Sequence, residues 1–214
     1  MLKMWKKFFG FFCMLDVGGD DMKKIYWISA LAMLLIMAAG IGYFIYRDHS
    51  ARIPKDIRLE TSDGEVYDFG KSEKKIKLLE FIYTNCPDVC PITTQRMVHL
   101  KKQLEERNLY GKRIQFITIT IDPYRDTPDV MKKYAEAFGV ADDENWFFLT
   151  GDRKEIQKIA DTFQFQYRDP GNGFYIHSTF FYVLDERNRY LKKFPMGERF
   201  DTREVLEYLE KVSS

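Results

Sequence analysis

Ile76-Lys77-Leu78-Leu79-Glu80-Phe81-Ile82-Tyr83-Thr84-Asn85-Cys86-Pro87-Asp88-Val89-Cys90-Pro91 reads as a strand that breaks into a cysteine loop and then starts a helix. Positions 76–83 are mostly apolar, which suits a strand covered on both faces. Pro91 fits the first turn of a helix, where its missing N–H is not needed. Met97, Leu100 and Leu104 follow at helical spacing, toward about Asn108. Cys86 and Cys90 therefore stand where a strand ends and a helix begins, the edge at which open α/β sheets place their ligand sites. The positive end of a helix dipole lowers the pKa of a nearby thiol, and thiolate is both the nucleophile and the metal ligand.

Outward from this stretch, strands and helices alternate. Residues 57–60 and 66–69 flank Ser62-Asp63-Gly64-Glu65, a hairpin signal. Residues 114–121 alternate and are rich in β-branched side chains, which predicts a strand. Thr127-Pro128 reads as an N-cap followed by Pro at the first helical position, opening a helix that ends near Phe138-Gly139. Residues 146–149 form a short strand, and Asp152 caps a helix through about Phe163. Residues 178–184 and 190–194 flank Asp185-Glu186-Arg187-Asn188, a second hairpin, and Thr202 caps a last amphipathic helix through Val212. The pattern predicts an α/β domain with a central mixed sheet flanked by helices.

The cysteine spacing narrows the chemistry. Dithiol oxidoreductases of the thioredoxin type use two intervening residues, whereas Cys86 and Cys90 have three. Two thiolates from one loop can still close on a single soft ion such as Cu(I) or Zn(II). Flanking prolines and the strand-to-helix junction argue against two inert core thiols. Of the three histidines, His49 lies in a charged segment and His99 within the first helix, and both read as surface residues. His177 follows the Gly-rich loop Asp169-Pro170-Gly171-Asn172-Gly173 and precedes an apolar strand, so the loop can carry it over the cysteine edge. Neutral imidazole is a common copper ligand. Met97 and Met131 do not cluster and read as core.

The cysteine segment resembles the SCO/SenC motif Tyr/Phe-Thr-x-Cys-Pro-Asp-Val-Cys-Pro. The resemblance continues through Thr120-Ile121-Asp122-Pro123-Tyr124-Arg125-Asp126-Thr127-Pro128, through Trp146-Phe147-Phe148-Leu149-Thr150-Gly151, and through His177-Ser178-Thr179 into Tyr182-Val183-Leu184-Asp185. It covers roughly residues 57–212. It implies a thioredoxin-like domain in which Cys86, Cys90 and His177 bind Cu(I) or Cu(II), and a role in assembling the dinuclear copper site of cytochrome c oxidase subunit II. Many members place Asp directly before the histidine; here it is Ile176. Asp88, between the cysteines, is a candidate supporting or partner-docking acid, with helix capping as the plain alternative. Asp122, at the end of a strand on the same side, is a second weak candidate beside a simple turn role.

Residues 25–46 hold no charged residue and no histidine across 22 positions. As a helix they rise about 33 Å, enough for a hydrocarbon core of roughly 30 Å. Tyr26 and Trp27 at one end, with Tyr43 and Tyr46 at the other, match interfacial aromatic belts. Lys3, Lys6, Lys7, Lys23 and Lys24 precede the run, so the positive-inside rule keeps the N-terminus in the cytoplasm and exports the residues after Tyr46. The expected organisation is a cytoplasmic segment at 1–24 (with Met22 a second candidate start), a single-pass anchor in lipid at 25–46, a tether at 47–56, and the thioredoxin-like copper-binding domain at 57–214, on the extracytoplasmic side. Ala38-Ala39-Gly40 offers a cleavage signal, but the apolar run continues past it.

Basic and acidic residues number 33 and 32, so there is no electrostatic footprint for nucleic acid. Three cysteines are too few for a disulfide-stapled scaffold, and Cys13 reads as a stray thiol. Three functions compete. The first is a copper metallochaperone, which is not an enzyme in the strict sense. The second is a thiol-disulfide oxidoreductase that cycles Cys86 and Cys90 and reduces the cysteines of the oxidase subunit. A thiol peroxidase is disfavoured, because the Pro-x-x-x-Thr-x-x-Cys signature is absent before Cys86.

Overall fold

The computed structural model describes residues 19–213, with side chains for residues 22–43 and 51–213. Cys13 and the Phe-rich start lie outside the described residues. Helix α1 (Gly19–Ser50) contains the stretch Met22–Tyr43, long and apolar enough to cross a membrane. The helix runs through Arg47, Asp48 and His49, which were expected in the tether. Length in lipid is set by hydropathy, whereas helix length is set by backbone propensity, which these charged residues do not oppose.

Residues 48–214 make a separate compact unit. Its strands are β1 (Arg58–Thr61), β2 (Val66–Asp68), β3 (Ile76–Ile82), β4 (Ile114–Thr120), β5 (Trp146–Thr150), β6 (Tyr167–Arg168), β7 (Ile176–His177), β8 (Phe180–Leu184) and β9 (Tyr190–Pro195). Its helices are α2 (Val89–Glu106), α3 (Pro128–Ala137), α4 (Arg153–Thr162) and α5 (Thr202–Ser213). Seven strands form one sheet in the order β2-β1-β5-β4-β3-β8-β9. β3, β4 and β5 are parallel neighbours, and the remaining pairs are antiparallel. The thioredoxin-like α/β expectation stands, as a mixed sheet with helices crossing between the parallel strands.

Three local expectations change. Ile53, read as part of a tether, is fully buried, and its N–H donates to the Asn188 carbonyl at 3.1 Å. A single apolar residue among charges carries no periodicity from which to read burial. The cap of α5 is Asp201, not Thr202: the Asp201 carboxylate accepts from the N–H groups of Arg203 and Glu204. The loop before His177 also proves to be the turn of a strand pair. It turns a short hairpin in which Tyr167 faces His177 and Arg168 faces Ile176. By contrast Asp152 caps α4 through Lys154 N–H, and Met97 and Met131 are fully buried.

β3 is buried along its whole length, including two charged residues. Lys77 bends its ammonium out to the carbonyls of Glu73 and Lys75 at 2.7 and 2.9 Å. Glu80 has no such exit. One carboxyl oxygen accepts from Thr118 at 2.8 Å, and the other has no partner. Burial pushes its pKa up to about 8, so the neutral acid is the resident form near neutrality. The unfolded chain releases this proton near 4.5 and the folded chain near 8. Between those values Glu80 therefore lowers stability as pH rises, by at most about 1.4 kcal/mol per pH unit. Glu80→Gln should flatten that slope. Urea unfolding of the variant at pH 5, 6.5 and 8 checks this, and a slope equal to wild type would refute it.

Candidate metal centre

Tyr83 closes the strand, and the chain turns so that the Cys86 N–H donates to the Tyr83 carbonyl at 3.1 Å. Cys90 then falls in the first turn of α2. Cys86 is 9% exposed and Cys90 is completely buried. Both are reduced. Asp126, itself buried, holds this loop from β4's side. Its carboxylate takes the Thr84 N–H at 3.0 Å, the Thr84 hydroxyl at 2.5 Å, and the Thr120 hydroxyl as well. A buried carboxylate satisfied by three donors is a rigid post, and its removal would leave those donors unpaired.

His177 arrives from the other side of β3. Because β8 runs antiparallel to β3, with Leu79 opposite Tyr182, the start of β8 lies at the end of β3. The residues just before β8 are therefore delivered to the cysteine loop. The His177 ring stacks on Phe165 and meets Tyr83 edge-on, each at 5.9 Å between centroids. Its Nδ1 lies 2.8 Å from the Ser178 carbonyl. That carbonyl can only accept, so Nδ1 carries a proton, and Nε2 is the ring nitrogen left to bind a metal when the imidazole is neutral. The Cys86 and Cys90 sulfurs and a His177 ring nitrogen all lie within 4.8 Å of one another. A groove of about 550 Å³, lined in part by Phe165, Tyr167 and Ile176, has His177 in its wall and neither cysteine.

Two soft sulfurs and one imidazole from three separate chain positions form a donor set for a soft or borderline metal. The sequence model of the SCO1/SenC family matches residues 47–214. The chain belongs to the SCO1/SenC family. An SCO2-like protein of Rickettsia typhi is 31% identical over 171 residues, covering 77% of this chain and 79% of its own. The crystal structure of a SCO1/SenC family lipoprotein from Bacillus anthracis superposes with a TM-score of 0.69 at 27% identity, over 77% of this chain and 96% of that one. BsSco, a member of the Sco family of cytochrome c oxidase assembly proteins in which a disulfide switch was identified, gives 0.66 at 26%, over 77% and 94%. Yeast Sco1 with copper bound gives 0.60 at 25%, over 72% and 84%.

The two thiols of this SCO1/SenC site are unlike each other. The Cys90 thiol donates a hydrogen bond to Cys86 and holds the Cys86 pKa well below the usual thiol range. His177 and the N–H groups of Asp88 and Cys90 act in the same direction. Cys90, as the donor and fully buried, is raised well above that range. Burial and the nearby Cys86 charge push the Tyr83 phenol up to about 12.

The two weaker candidates stand apart from the donor cluster. Asp88 is exposed at the N-cap position of α2 and makes no side-chain capping bond. Asp122 is buried, paired with Arg125, and accepts from the Tyr175 hydroxyl at 3.3 Å. Tyr175 in turn packs 5.3 Å from Tyr83. Asp122 thus reaches the site through two tyrosines rather than by contact. His99 is exposed on α2. Tyr83, Phe165, Asp126 and Tyr175 also line or brace the site, beyond the candidates expected from the sequence. Tyr83 and Asp126 lie inside the motif segments, where a signal existed. Phe165 and Tyr175 carried none.

The asymmetry of the pair predicts selective alkylation. In the reduced protein, iodoacetamide should modify Cys86 at a rate nearly flat from pH 8 down to pH 5.5, where an ordinary thiol slows about tenfold per unit. Cys90 should stay largely unmodified. Peptide mapping after timed labelling measures both, and equal labelling of the two would contradict the assigned asymmetry.

Proposed function

We propose that this chain is a membrane-anchored copper metallochaperone. Cys86 and Cys90 hold Cu(I) or Cu(II) as thiolates and His177 as a neutral imidazole. The observation that carries the reading is the convergence of these three donors within 4.8 Å of one another. A preformed thiolate at Cys86 binds without waiting for a proton to leave, and Cys90 releases its proton when the metal arrives. Three protein donors leave a coordination position for a partner's ligand, as hand-over of a bound ion requires. Membership of the SCO1/SenC family supports the cargo, as does yeast Sco1, which binds copper in its crystal structure. BsSco belongs to a family of cytochrome c oxidase assembly proteins, and this supports the recipient: the dinuclear copper site of subunit II. The apolar stretch Met22–Tyr43 supports a single-pass anchor, and the lysines before it support an extracytoplasmic domain.

One observation favours a second role. A low-pKa thiol beside a high-pKa thiol suits dithiol exchange, and BsSco has a disulfide switch. In that role the Cys86 thiolate attacks a disulfide of the oxidase subunit and displaces one of its sulfurs as thiolate. Cys90, losing its proton, then attacks Cys86, freeing the second substrate sulfur and leaving the Cys86–Cys90 disulfide.

Anaerobic copper titration of the reduced, detergent-solubilised full chain separates the two. The metallochaperone reading expects equimolar uptake of Cu(II) with an intense thiolate-to-copper band, abolished by Cys86→Ser. His177→Ala should lose affinity by about 100-fold or more, since even the outer partners of a ligand are worth about 10–100-fold. If Cu(II) instead oxidises the pair and no metal stays bound, the oxidoreductase role takes precedence.

A further inference from the structure

The hairpin β6–β7 that carries His177 is too small to hold itself in place. Each strand has two residues, and the ladder has two register pairs. Two-stranded hairpins of this kind are marginal in water without outside support. Little of this one is buried: Phe174 and Ile176, on the arm leading to His177, are 47% and 54% exposed. Yet the imidazole must sit over the thiols for the donor set to exist.

Tyr83 packs against Tyr175 and His177 from the end of β3, and the polar support comes from the loop after β4. The Arg125 guanidinium is paired with the buried Asp122 carboxylate and donates from Nη2 to the Gly173 carbonyl at 3.3 Å. It also lies 5.9 Å from the centre of the Tyr175 ring. The Gly173 carbonyl accepts a second, longer bond from Asn85, the residue before Cys86, at 3.4 Å. Tyr175 closes the loop by donating to Asp122. Gly173 is at φ +85°, and a Cβ there would stand 3.2 Å from Arg125 Nη1, so glycine both makes the turn and admits the guanidinium. The turn that precedes His177 is thus tied to the turn that precedes Cys86, with one arginine fork bridging a buried acid and a backbone carbonyl.

We propose that Arg125 is a positioning residue for His177. It docks the β6–β7 hairpin onto the cysteine edge, so the imidazole is in place over the two sulfurs before a metal arrives. Its effect on copper rests on the metallochaperone reading, whereas the docking itself does not. Charge alone would give the opposite result. A guanidinium on the edge of a cation site disfavours the cation, and removing it uncovers the Asp122 carboxylate. On electrostatics, Arg125→Ala should therefore tighten copper binding. Positioning requires that it weaken it.

Two measurements on the full chain in detergent test this. Hydrogen exchange of the metal-free protein over residues 166–178 should be about tenfold faster in Arg125→Ala, with the seven-stranded sheet unchanged. Cu(II) affinity should fall about tenfold in Arg125→Ala in the presence of His177, and by less than about twofold in the His177→Ala background. Arg125→Lys keeps a cation beside Asp122 but cannot span the carboxylate and the carbonyl together, so it should behave like the alanine variant. Unchanged exchange and affinity would overturn the proposal. So would tighter copper binding, an equal loss with and without His177, or full function in Arg125→Lys. If the wild type retains no copper, the metallochaperone reading fails by itself, and hydrogen exchange alone decides whether Arg125 docks the hairpin.

Discussion

The antiparallel seating of β8 against β3 is the constraint on which the site depends. β3 and β4 run parallel, so both end at one edge of the sheet, and the turns after them supply Cys86 and Asp122 there. β8 runs the other way, so it begins at that edge, and the residue three positions before it arrives as His177. Cys90 and His177, separated by 87 positions in the chain, thus meet with no long excursion of backbone. Had β8 paired parallel to β3, the histidine would have entered at the opposite end of the sheet.

Around that edge, polar groups are arranged to leave few degrees of freedom. Asp126 accepts three hydrogen bonds and fixes the cysteine loop from behind. Ser178 fixes the tautomer of His177, and Phe165 with Tyr83 fixes its ring plane. The sulfurs differ because one is the hydrogen-bond donor of the other, in a place where the helix N-terminus and burial pull in opposite directions. Such asymmetry serves metal capture and dithiol exchange alike. The imidazole is what distinguishes them, since exchange needs two sulfurs and a copper site needs a third donor. For the proposed copper site, the placement of the small hairpin is therefore as consequential as the cysteines themselves.

Much of this was legible in the chain. The apolar run before Cys86, the β-branched alternation of 114–121, Asp152 ahead of α4, and the two hairpin signals all read correctly, because each depends on neighbours in sequence. The cysteine spacing and the isolated His177 pointed to three side chains that the fold brings within 4.8 Å of one another. Less legible were features in which a residue's role is set by a distant partner. Ile53 sits among charges yet fills the core beneath Asn188's turn. Glu80 interrupts an apolar strand, and nothing local says that it would be buried beside Thr118. Asp126 lies in a motif segment, yet nothing local says that its carboxylate would hold Thr84.

The sequence by itself determined most of the elements, the membrane-length apolar stretch, the motif that places the chain in its family, and the chemical character of the candidate donors. Those are properties of composition and short-range periodicity, which the chain carries wherever it is folded. Tertiary structure alone decided that Cys86 is the low-pKa sulfur and Cys90 the high one, that Nδ1 of His177 is held by the Ser178 carbonyl, and that Arg125 bridges Asp122 to Gly173. A pKa, a tautomer and a docking contact are differences between environments, and an environment exists only once strands far apart in the chain have been laid side by side.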